Sequence, residues 1–510
     1  MKTENFFEYP NFFSFILYCS FHSHTLSTPD GIPRQTFKGL SEVQSEESKV
    51  RTGPCGQCVR ANEFCSGYRD ASELRIENES RSVARKALKN GPRIEITTMP
   101  SSTNREAREI FFAYYITSRC WEFLSPYHHY PVDAPKHLDQ AIEACSSAYL
   151  WHIVPTDSTL LMAREKYVSA LRLTNKAIRS PENARKDTTL MTSLLLDLFE
   201  KITNSQPRSD ILWRSHVDGA LALAKARGLE RFMATSDLSM LMRVGTHYIM
   251  SCIASESLPS DTLYTLQAYI ESQLGAQDPS LRISNLMMHF AEIWNKTTDG
   301  LLPRDECVSL TSGLDEEFRV FELDLPLRWQ FSTFTLDHPS PRSLDLNFNV
   351  YQDSKVCHAR NMICVMRILL NESLIKHAQS SPRNDDLMET AHDRIRHLTD
   401  FICASVPQYT DCGGPARSGV LLTKPEGFCK EDHTHDPNHQ SSCYTLIFPL
   451  YIAARYRREL RPWVIDQLHY IGDHFRTRNA EVVAQILENG ADVHTWKVFD
   501  MLGSYAVTTS

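Results

Sequence analysis

The feature that most constrains the fold of this chain is a helical spacing of apolar residues that persists from about residue 105 to residue 510. It is clearest between Thr156 and Pro181, where apolar side chains recur in steps of three and four and so share one side of a helix. Thr156 or Asp157 is expected to cap this helix, and Pro181 to mark its end. The predicted buried stripe consists of Leu160, Ala163, Tyr167, Ala170, Leu171, Thr174, Ala177 and Ile178.

Two more helices are predicted directly after it. Asp187 is expected to cap the first, which has an apolar stripe of its own. Ser209 or Asp210 is expected to cap the second, and Gly228 suits its C-terminal end because glycine adopts positive φ at little cost. The two stripes are Leu190, Leu194, Leu198 and Ile202, and then Trp213, His216, Ala220, Leu223 and Ala224.

The remaining sequence extends this pattern, and alternation typical of strands is rare. We therefore predict an all-α fold, a large domain of stacked antiparallel helices around a long core. Further helices are expected within residues 238–253, 280–294, 353–377, 387–406, 448–457 and 461–475.

Composition narrows the class of protein. The chain has 510 residues, of which 42% are hydrophobic and 23% charged, as in soluble proteins with two or more folding units. Its formal net charge of -8 excludes electrostatic binding of nucleic acid by the chain as a whole, so DNA contact would need a local basic segment.

The apolar stretch at residues 11–21 is shorter than the roughly 20 residues that span a bilayer, so no membrane partner is expected. The fourteen cysteines, without a convincing secretory signal, predict free or metal-bound thiols.

Three of those cysteines are closely spaced. Cys55, Cys58 and Cys65 follow a C-x2-C-x6-C pattern within a stretch rich in turn-forming residues. Zinc sites often use a C-x2-C pair because the short turn lets two sulfurs reach one metal. Three thiolates are one short of a tetrahedral site, so the alternatives are a zinc site completed elsewhere and three unligated thiols.

Basic residues accompany and follow this run. They can contact DNA phosphates or act as a nuclear import signal, whereas nearby glutamates also allow a solvated linker. The candidate DNA-binding residues are Arg60, Arg69, Arg81, Arg85, Lys86 and Lys89.

The cysteine run and the helical segments together resemble the fungal transcription factors with a six-cysteine binuclear zinc cluster. The stretch RTGPCGQCVRANEFCSGYRD looks like the second half of that cluster, and residues 163–202, 213–232 and 448–472 resemble blocks of the family's helical regulatory domain. The resemblance implies that Cys55, Cys58 and Cys65 are the fourth, fifth and sixth zinc ligands.

The chain departs from the family where the first half of the cluster should lie. Nothing before Gly53 matches a C-x2-C pair, a run of Arg and Lys, and a third Cys; the nearest upstream thiol is Cys19, with His22 and His24 close by. The missing half carries the basic helix that reads bases in the family. Three thiolates cannot hold two zinc ions, so one zinc with a fourth ligand from elsewhere, or no tight zinc at all, is expected.

These observations divide the chain into four predicted parts. Residues 1–50 are expected to be an unstructured leader, explained by a gene-model artefact or by genuine loss of the first half-cluster. Residues 51–70 are the partial zinc-cluster segment, residues 71–104 a charged linker, and residues 105–510 the helical regulatory domain.

Other candidate sites are weaker. The loop between two late helices has His-x-His and His-x3-His spacings that allow metal ligation, and a polar insertion is the alternative. No phosphate-binding loop, G-x-S-x-G elbow, H-E-x-x-H motif or dinucleotide fingerprint occurs. His216 is expected to be a satisfied buried histidine, and the tryptophans at 121, 213, 294, 329 and 463 to be core residues. The candidate metal ligands in the loop between the two late helices are Cys412, Cys429, His433, His435, His439 and Cys443.

We therefore predict a nuclear, non-enzymatic regulator of RNA polymerase II genes, by family resemblance of a metabolic or secondary-metabolite gene set. DNA, coactivators or repressors, and a second copy of the chain are its expected partners, although no sustained heptad repeat follows Cys65. One alternative is a helical interaction protein or co-regulator that does not bind DNA. Another is an enzyme whose site lies between helices, which a polar cavity with converging carboxylates or histidines would support.

Overall fold

The computed structural model describes residues 101–115, 121–129, 133–154, 156–203, 210–298, 300, 302–379, 385–410, 442–490 and 493–502. The predictions for residues 1–100, which include the leader, the cysteine run and the basic residues after it, lie outside this part of the chain.

The described chain is built from helices joined by short connections, so the predicted all-α fold is confirmed. The first helices are α1 (Ser101–Tyr115), α2 (Ser125–His129), α3 (Lys136–Ile153), α4 (Asp157–Ile178), α5 (Pro181–Ala184), α6 (Asp187–Thr203), α7 (Asp210–Arg227), α8 (Thr235–Ala254), α9 (Asp261–Leu274), α10 (Pro279–Thr298) and α11 (Arg304–Leu323). The later ones are α12 (Ser354–Ala378), α13 (Asp385–Ala404), α14 (Val406–Thr410), α15 (Ile447–Tyr456), α16 (Arg461–His474), α17 (Arg478–Glu488) and α18 (Thr495–Leu502).

One antiparallel hairpin interrupts the helices. Strands β1 (Phe331–Thr335) and β2 (Asn347–Tyr351) pair with Phe331 opposite Tyr351. Gln408 holds β2 to the following helices, because its side chain accepts from the Tyr351 amide at 2.9 Å and donates to the Tyr351 carbonyl at 3.0 Å. The hairpin is short enough that the sequence pattern did not single it out.

Helix α4 forms as predicted. Thr156 caps it, since its Oγ1 accepts a hydrogen bond from the Thr159 amide at 3.3 Å. Its buried residues are Thr159, Ala163, Tyr167, Ala170, Leu171 and Thr174, five of which belong to the predicted stripe. Gly228 also has the expected positive φ, +91°, just beyond α7.

Helix α6 differs from its prediction. It begins at Asp187 itself, and burial extends far beyond the expected stripe of leucines to almost every residue from Thr189 to Ile202. The reason is its position, because α3, α4 and α7 all pack against it. A helix enclosed on every side has no solvent face, so its pattern need not be amphipathic.

Helices that follow one another in the chain mostly pack together, and most buried apolar side chains form one continuous cluster. Helices α3 and α4 form an antiparallel pair, as do α11 and α12. The last helix, α18, contacts both α8 and α15 and so links early and late helices of the stack.

Helix α1 begins at Ser101, within the residues predicted as linker. Arg108 holds it to α3, with Nη1 at 3.1 Å from Asp139 and 3.3 Å from Glu143. Lys166 on α4 extends this link, since it donates to Asn104 at 3.1 Å and to Glu143 at 2.7 Å. These contacts explain why helical structure starts before the apolar spacing does.

We predict unequal effects for two glycine-to-alanine substitutions. In Gly472→Ala the new Cβ would lie 2.7 Å from Cγ of Glu481, so that flexible side chain would have to move and give up its contact with His469, and we expect little or no net gain in the free energy of unfolding. Gly313 lies in α11 with open space around it, so Gly313→Ala should gain about 0.5–1 kcal/mol from helix propensity. Urea unfolding followed by circular dichroism measures both, and equal effects would contradict the close approach of α16 and α17.

A second prediction concerns pH. His469 on α16 contacts Glu481 at 3.0 Å and Glu488 at 2.7 Å, both on α17, and these bonds, that to Glu488 foremost, raise the pKa of His469 above its usual 6.5. A raised folded-state pKa gives stability that is complete below the unfolded pKa and is lost as pH rises through the folded one. His469→Gln should therefore lower the melting temperature below pH 6.5 and have less effect in alkaline buffer.

The control is His338→Gln, because His338 is exposed and has no partner among the described residues. A pH-independent effect of His469→Gln, or the same effect in both variants, would contradict the role assigned to the bridge.

Candidate functional site

The sequence-predicted site residues are mostly not described by the structure. Cys55, Cys58 and Cys65 lie outside the described residues, and so do Arg60, Arg69, Arg81, Arg85, Lys86 and Lys89. Of the loop proposed as a second metal site, only Cys443 is described. It is fully buried, and its thiol donates to the Tyr409 carbonyl at 3.0 Å, so it belongs to the core.

The described region contains a buried group of charged side chains between α6 and α8. Lys201 donates to Asp197 Oδ2 within α6, and His247 Nδ1 on α8 lies 3.6 Å from the same oxygen. Arg243, one turn earlier on α8, has its Nη1 at 3.3 Å from His247 Nε2. All four side chains are buried, so the carboxylate of Asp197, rather than bulk water, offsets part of the positive charge of Lys201 and Arg243. We call these four residues the buried polar cluster.

The partners of His247 fix its protonation. Arginine can only donate a hydrogen bond, so Nε2 of His247 accepts from Arg243 and the ring proton lies on Nδ1, facing Asp197. Burial, and then the positive charges of Lys201 and Arg243, hold the pKa of His247 well below its usual value. His247 is therefore neutral, lies between two charged neighbours, and does not titrate near neutral pH.

The buried polar cluster is covered by an aromatic ring. The guanidinium of Arg243 lies 4.4 Å from the ring centroid of Trp121, which is 1% exposed. This contact ties the segment before α2 to α8 and confirms the prediction that Trp121 is a core residue. Trp329 is likewise buried, and Trp294 and Trp463 are partly buried against the core. The side chain of Trp213 lies outside the described part of the chain.

His216 is a satisfied buried histidine, as expected from the sequence. Its Nε2 lies 2.8 Å from Glu200 Oε1, and the Tyr167 hydroxyl donates to the same oxygen. Tyr167 also stacks on Phe199, with ring centroids 4.3 Å apart. These contacts join α4, α6 and α7 and leave the imidazole in a structural role.

A small cavity lies between His216 and the buried polar cluster, and it bears on the alternative of an enzymatic site between helices. Asp197, His216 and His247 converge on this cavity, but it has space for only about one water molecule, whereas ligand pockets typically measure about 300–1,000 Å³. This cavity cannot admit a substrate. Its lining residues are Ser193, Leu194, Asp197, His216, Val217, Ala220, Val244 and His247.

Sequence reasoning missed the buried polar cluster, although a signal was present. Asp197 and Lys201 are four residues apart within the apolar run of α6, and oppositely charged residues at that spacing face each other on a helix. A charged pair inside a helix that is otherwise apolar indicates a buried ion pair. Nothing in the sequence indicated that Arg243 and His247 would meet it.

The sequence predicted free or metal-bound thiols, and the cysteines in the described ranges take the first of these two forms. Those described are free and buried, and burial raises the pKa of Cys357 and of Cys364 to about 12. Such thiols stay protonated and are poor metal ligands and nucleophiles. Within the described ranges no three His, Cys, Asp or Glu side chains come together as a metal site, and no helix is long and apolar enough to cross a membrane.

Comparison with known proteins identifies the helical region. Residues 96–411 match the family model described as the fungal specific transcription factor domain. An uncharacterized protein of Emericella nidulans is 28% identical over 139 residues, which covers 25% of this chain and 29% of that protein. The matched part thus spans less than a third of the relative's length. No solved structure matches the chain.

The family match covers more than half of the chain and includes most of the described helices, α1 to α14. The chain therefore belongs to the family of proteins that carry the fungal specific transcription factor domain.

Proposed function

We propose that the chain is a nuclear regulator of transcription, in which the cysteine segment contacts DNA and the helical domain regulates that activity. The observation that carries the proposal is the order of two features along one chain. The C-x2-C-x6-C run at Cys55, Cys58 and Cys65 is followed by a match to the fungal specific transcription factor domain from residue 96.

The helical domain is suited to contacts with other proteins rather than to chemistry. The buried His216 and His247 lie against the carboxylates of Glu200 and Asp197, and the cavity between them has room for about one water molecule. Intramolecular inhibition, sensing of an effector and contact with a coactivator or repressor are the roles open to such a domain. A metabolic or secondary-metabolite gene set is the proposed target.

Zinc would be held by the thiolates of Cys55, Cys58 and Cys65 with one ligand from elsewhere, such as water, Cys19, His22 or His24. The bound ion would fix the fold of this short segment. The basic residues at 60, 69, 81, 85, 86 and 89 would then contact DNA phosphates, a mode that positions a protein on the duplex without reading its sequence.

A second candidate is a co-regulator that works through protein contacts alone. The absence of the first half-cluster favours it, because that half carries the basic helix that reads bases in the related factors. Zinc content and DNA affinity separate the two candidates.

We predict that the full chain binds at most one zinc per molecule, because three thiolates cannot hold two ions. Mass spectrometry of the metal in purified protein measures this, and replacing Cys55, Cys58 and Cys65 with serine should abolish binding. The matched variant replaces Cys412 and Cys429 with serine and should keep the metal. Two zincs per chain would contradict the half-cluster assignment, and zinc lost only in the matched variant would point to the His-rich loop.

We also predict DNA binding that depends steeply on salt and discriminates little between sequences. Each Lys or Arg on a phosphate contributes about 0.9 to the slope of log affinity against log salt. Replacing Arg81, Arg85, Lys86 and Lys89 with glutamine should therefore flatten the slope. Replacing four exposed basic residues of the helical domain, Lys296, Arg328, Arg476 and Lys497, is the control. Failure of the full chain to bind duplex DNA would favour the co-regulator.

A further inference from the structure

The described helical domain carries one strongly basic surface region although the chain as a whole is acidic. Between Arg172 and Lys186 there are five basic residues and a single acidic one, Glu182, in a chain with net charge -8. Lys136, at the start of α3, adds a sixth positive charge. We call these six basic residues, Lys136, Arg172, Lys176, Arg179, Arg185 and Lys186, the basic patch.

Three members of the basic patch form a row along the end of α4. Arg172, Lys176 and Arg179 are spaced by four and three residues, so they share one face of the helix and span about 10 Å of its axis. All three side chains are exposed. The buried stripe of α4 lies on the other side of the helix, against α3 and α6, so this row faces solvent.

The other members extend the row around the end of the helix pair. Helices α3 and α4 are antiparallel and joined by a short connection, so the start of α3, with exposed Lys136, lies beside the end of α4. Burial, and then the positive charge of Lys186, lower the pKa of His137, which shows that Lys186 lies near the first turn of α3. Arg185 and Lys186 are both exposed.

Among the described residues, no acidic side chain pairs with the row of basic residues on α4. Arg172, Lys176 and Arg179 form no ion pair with any described residue, whereas other exposed arginines do, such as Arg319 with Glu316 and Arg396 with Asp393. The nearby carboxylates are largely engaged: Asp139 binds Arg108, Asp187 binds Arg227, and Glu182 lies 3.9 Å from Lys186. Asp133 is the remaining exposed acid before α3.

The composition of the basic patch indicates which partner it fits. Protein interfaces are centred on buried apolar or aromatic anchors, and none of the exposed large hydrophobic side chains among the described residues lies in residues 133–140 or 165–190. Contacts to a nucleic-acid backbone need only Lys, Arg and short polar side chains, and Asn175, Ser180 and Asn183 are partly exposed between the charges.

We propose that the basic patch is a second DNA contact surface, by which the helical domain itself binds the phosphate backbone in addition to the contacts proposed for the cysteine segment. The proposal rests on the proposed function, since it needs the full chain to reach DNA. The patch adds affinity and fixes orientation but reads no bases. The helical domain would then be a direct part of the DNA complex.

The test is the salt dependence of duplex binding by the full chain, measured by fluorescence anisotropy with a labelled duplex of mixed sequence. The variant replaces Arg172, Lys176 and Arg179 with glutamine, a comparable helix former. If all three contact phosphates, the slope of log affinity against log salt should become shallower by roughly 2.7. Circular dichroism and thermal unfolding confirm that the variant remains folded.

The matched control removes three exposed positive charges elsewhere, by Lys296→Gln, Arg328→Gln and Lys497→Gln, and should leave the slope unchanged. Equal slopes in the wild type, the variant and the control would overturn the patch while leaving DNA binding by the chain intact. No duplex binding by the wild-type chain would overturn the proposed function together with the patch. Loss in the patch variant of binding to an acidic peptide, with duplex binding unchanged, would assign the surface to a protein partner instead.

Discussion

The structure depends on the burial of one helix that carries charge. Helix α6 is enclosed by α3, α4 and α7, yet it carries Asp197 and Lys201, whose side chains are buried away from bulk solvent. Removing either partner would leave an unpaired buried charge, which costs about 3–5 kcal/mol. The pair is completed from outside the helix, by His247 and Arg243 of α8, so the position of α8 relative to α6 is set by charge as well as by shape.

A second network of buried charged side chains sets the relative positions of the later helices. Asp315 on α11 is 1% exposed and accepts from Arg367 of α12 at 2.8 Å and from Arg394 of α13 at 3.1 Å. Glu322, two turns further along α11, binds Arg360 at 3.0 Å and also Arg367. Buried ion pairs add little net stability compared with apolar packing. A shifted alignment of the helices, however, would leave a buried charge without its partner. The two networks thereby favour one alignment of neighbouring helices.

These networks separate the interior of the domain from its surface. The charged groups of the two networks contact one another in the core, whereas Arg172, Lys176 and Arg179 lie exposed on the outer side of α4 and form no ion pair with any described residue. A domain of this kind can offer a charged surface to a partner without disturbing its core. What such a domain does then depends on what its surface contacts.

The sequence by itself determined the fold class and many of the helices, because periodicity along a helix is a local property. The stripe of α4, its cap at Thr156 and the positive φ of Gly228 could all be read from spacing and residue type. It also showed that three closely spaced cysteines precede the helical domain, and it predicted the structural role of His216 that the structure confirms.

Only the tertiary structure decided which charges meet. Asp197 and His247 are fifty residues apart, and Lys136 and Lys186 are equally distant, so no local pattern could pair the first two or place the other two on one surface. Sequence likewise could not show that α6 is enclosed on all sides, since an apolar stripe fixes one buried face and the remaining faces depend on its neighbours. Contacts between distant segments are set by how helices stack, and that order arises only when the whole core is packed.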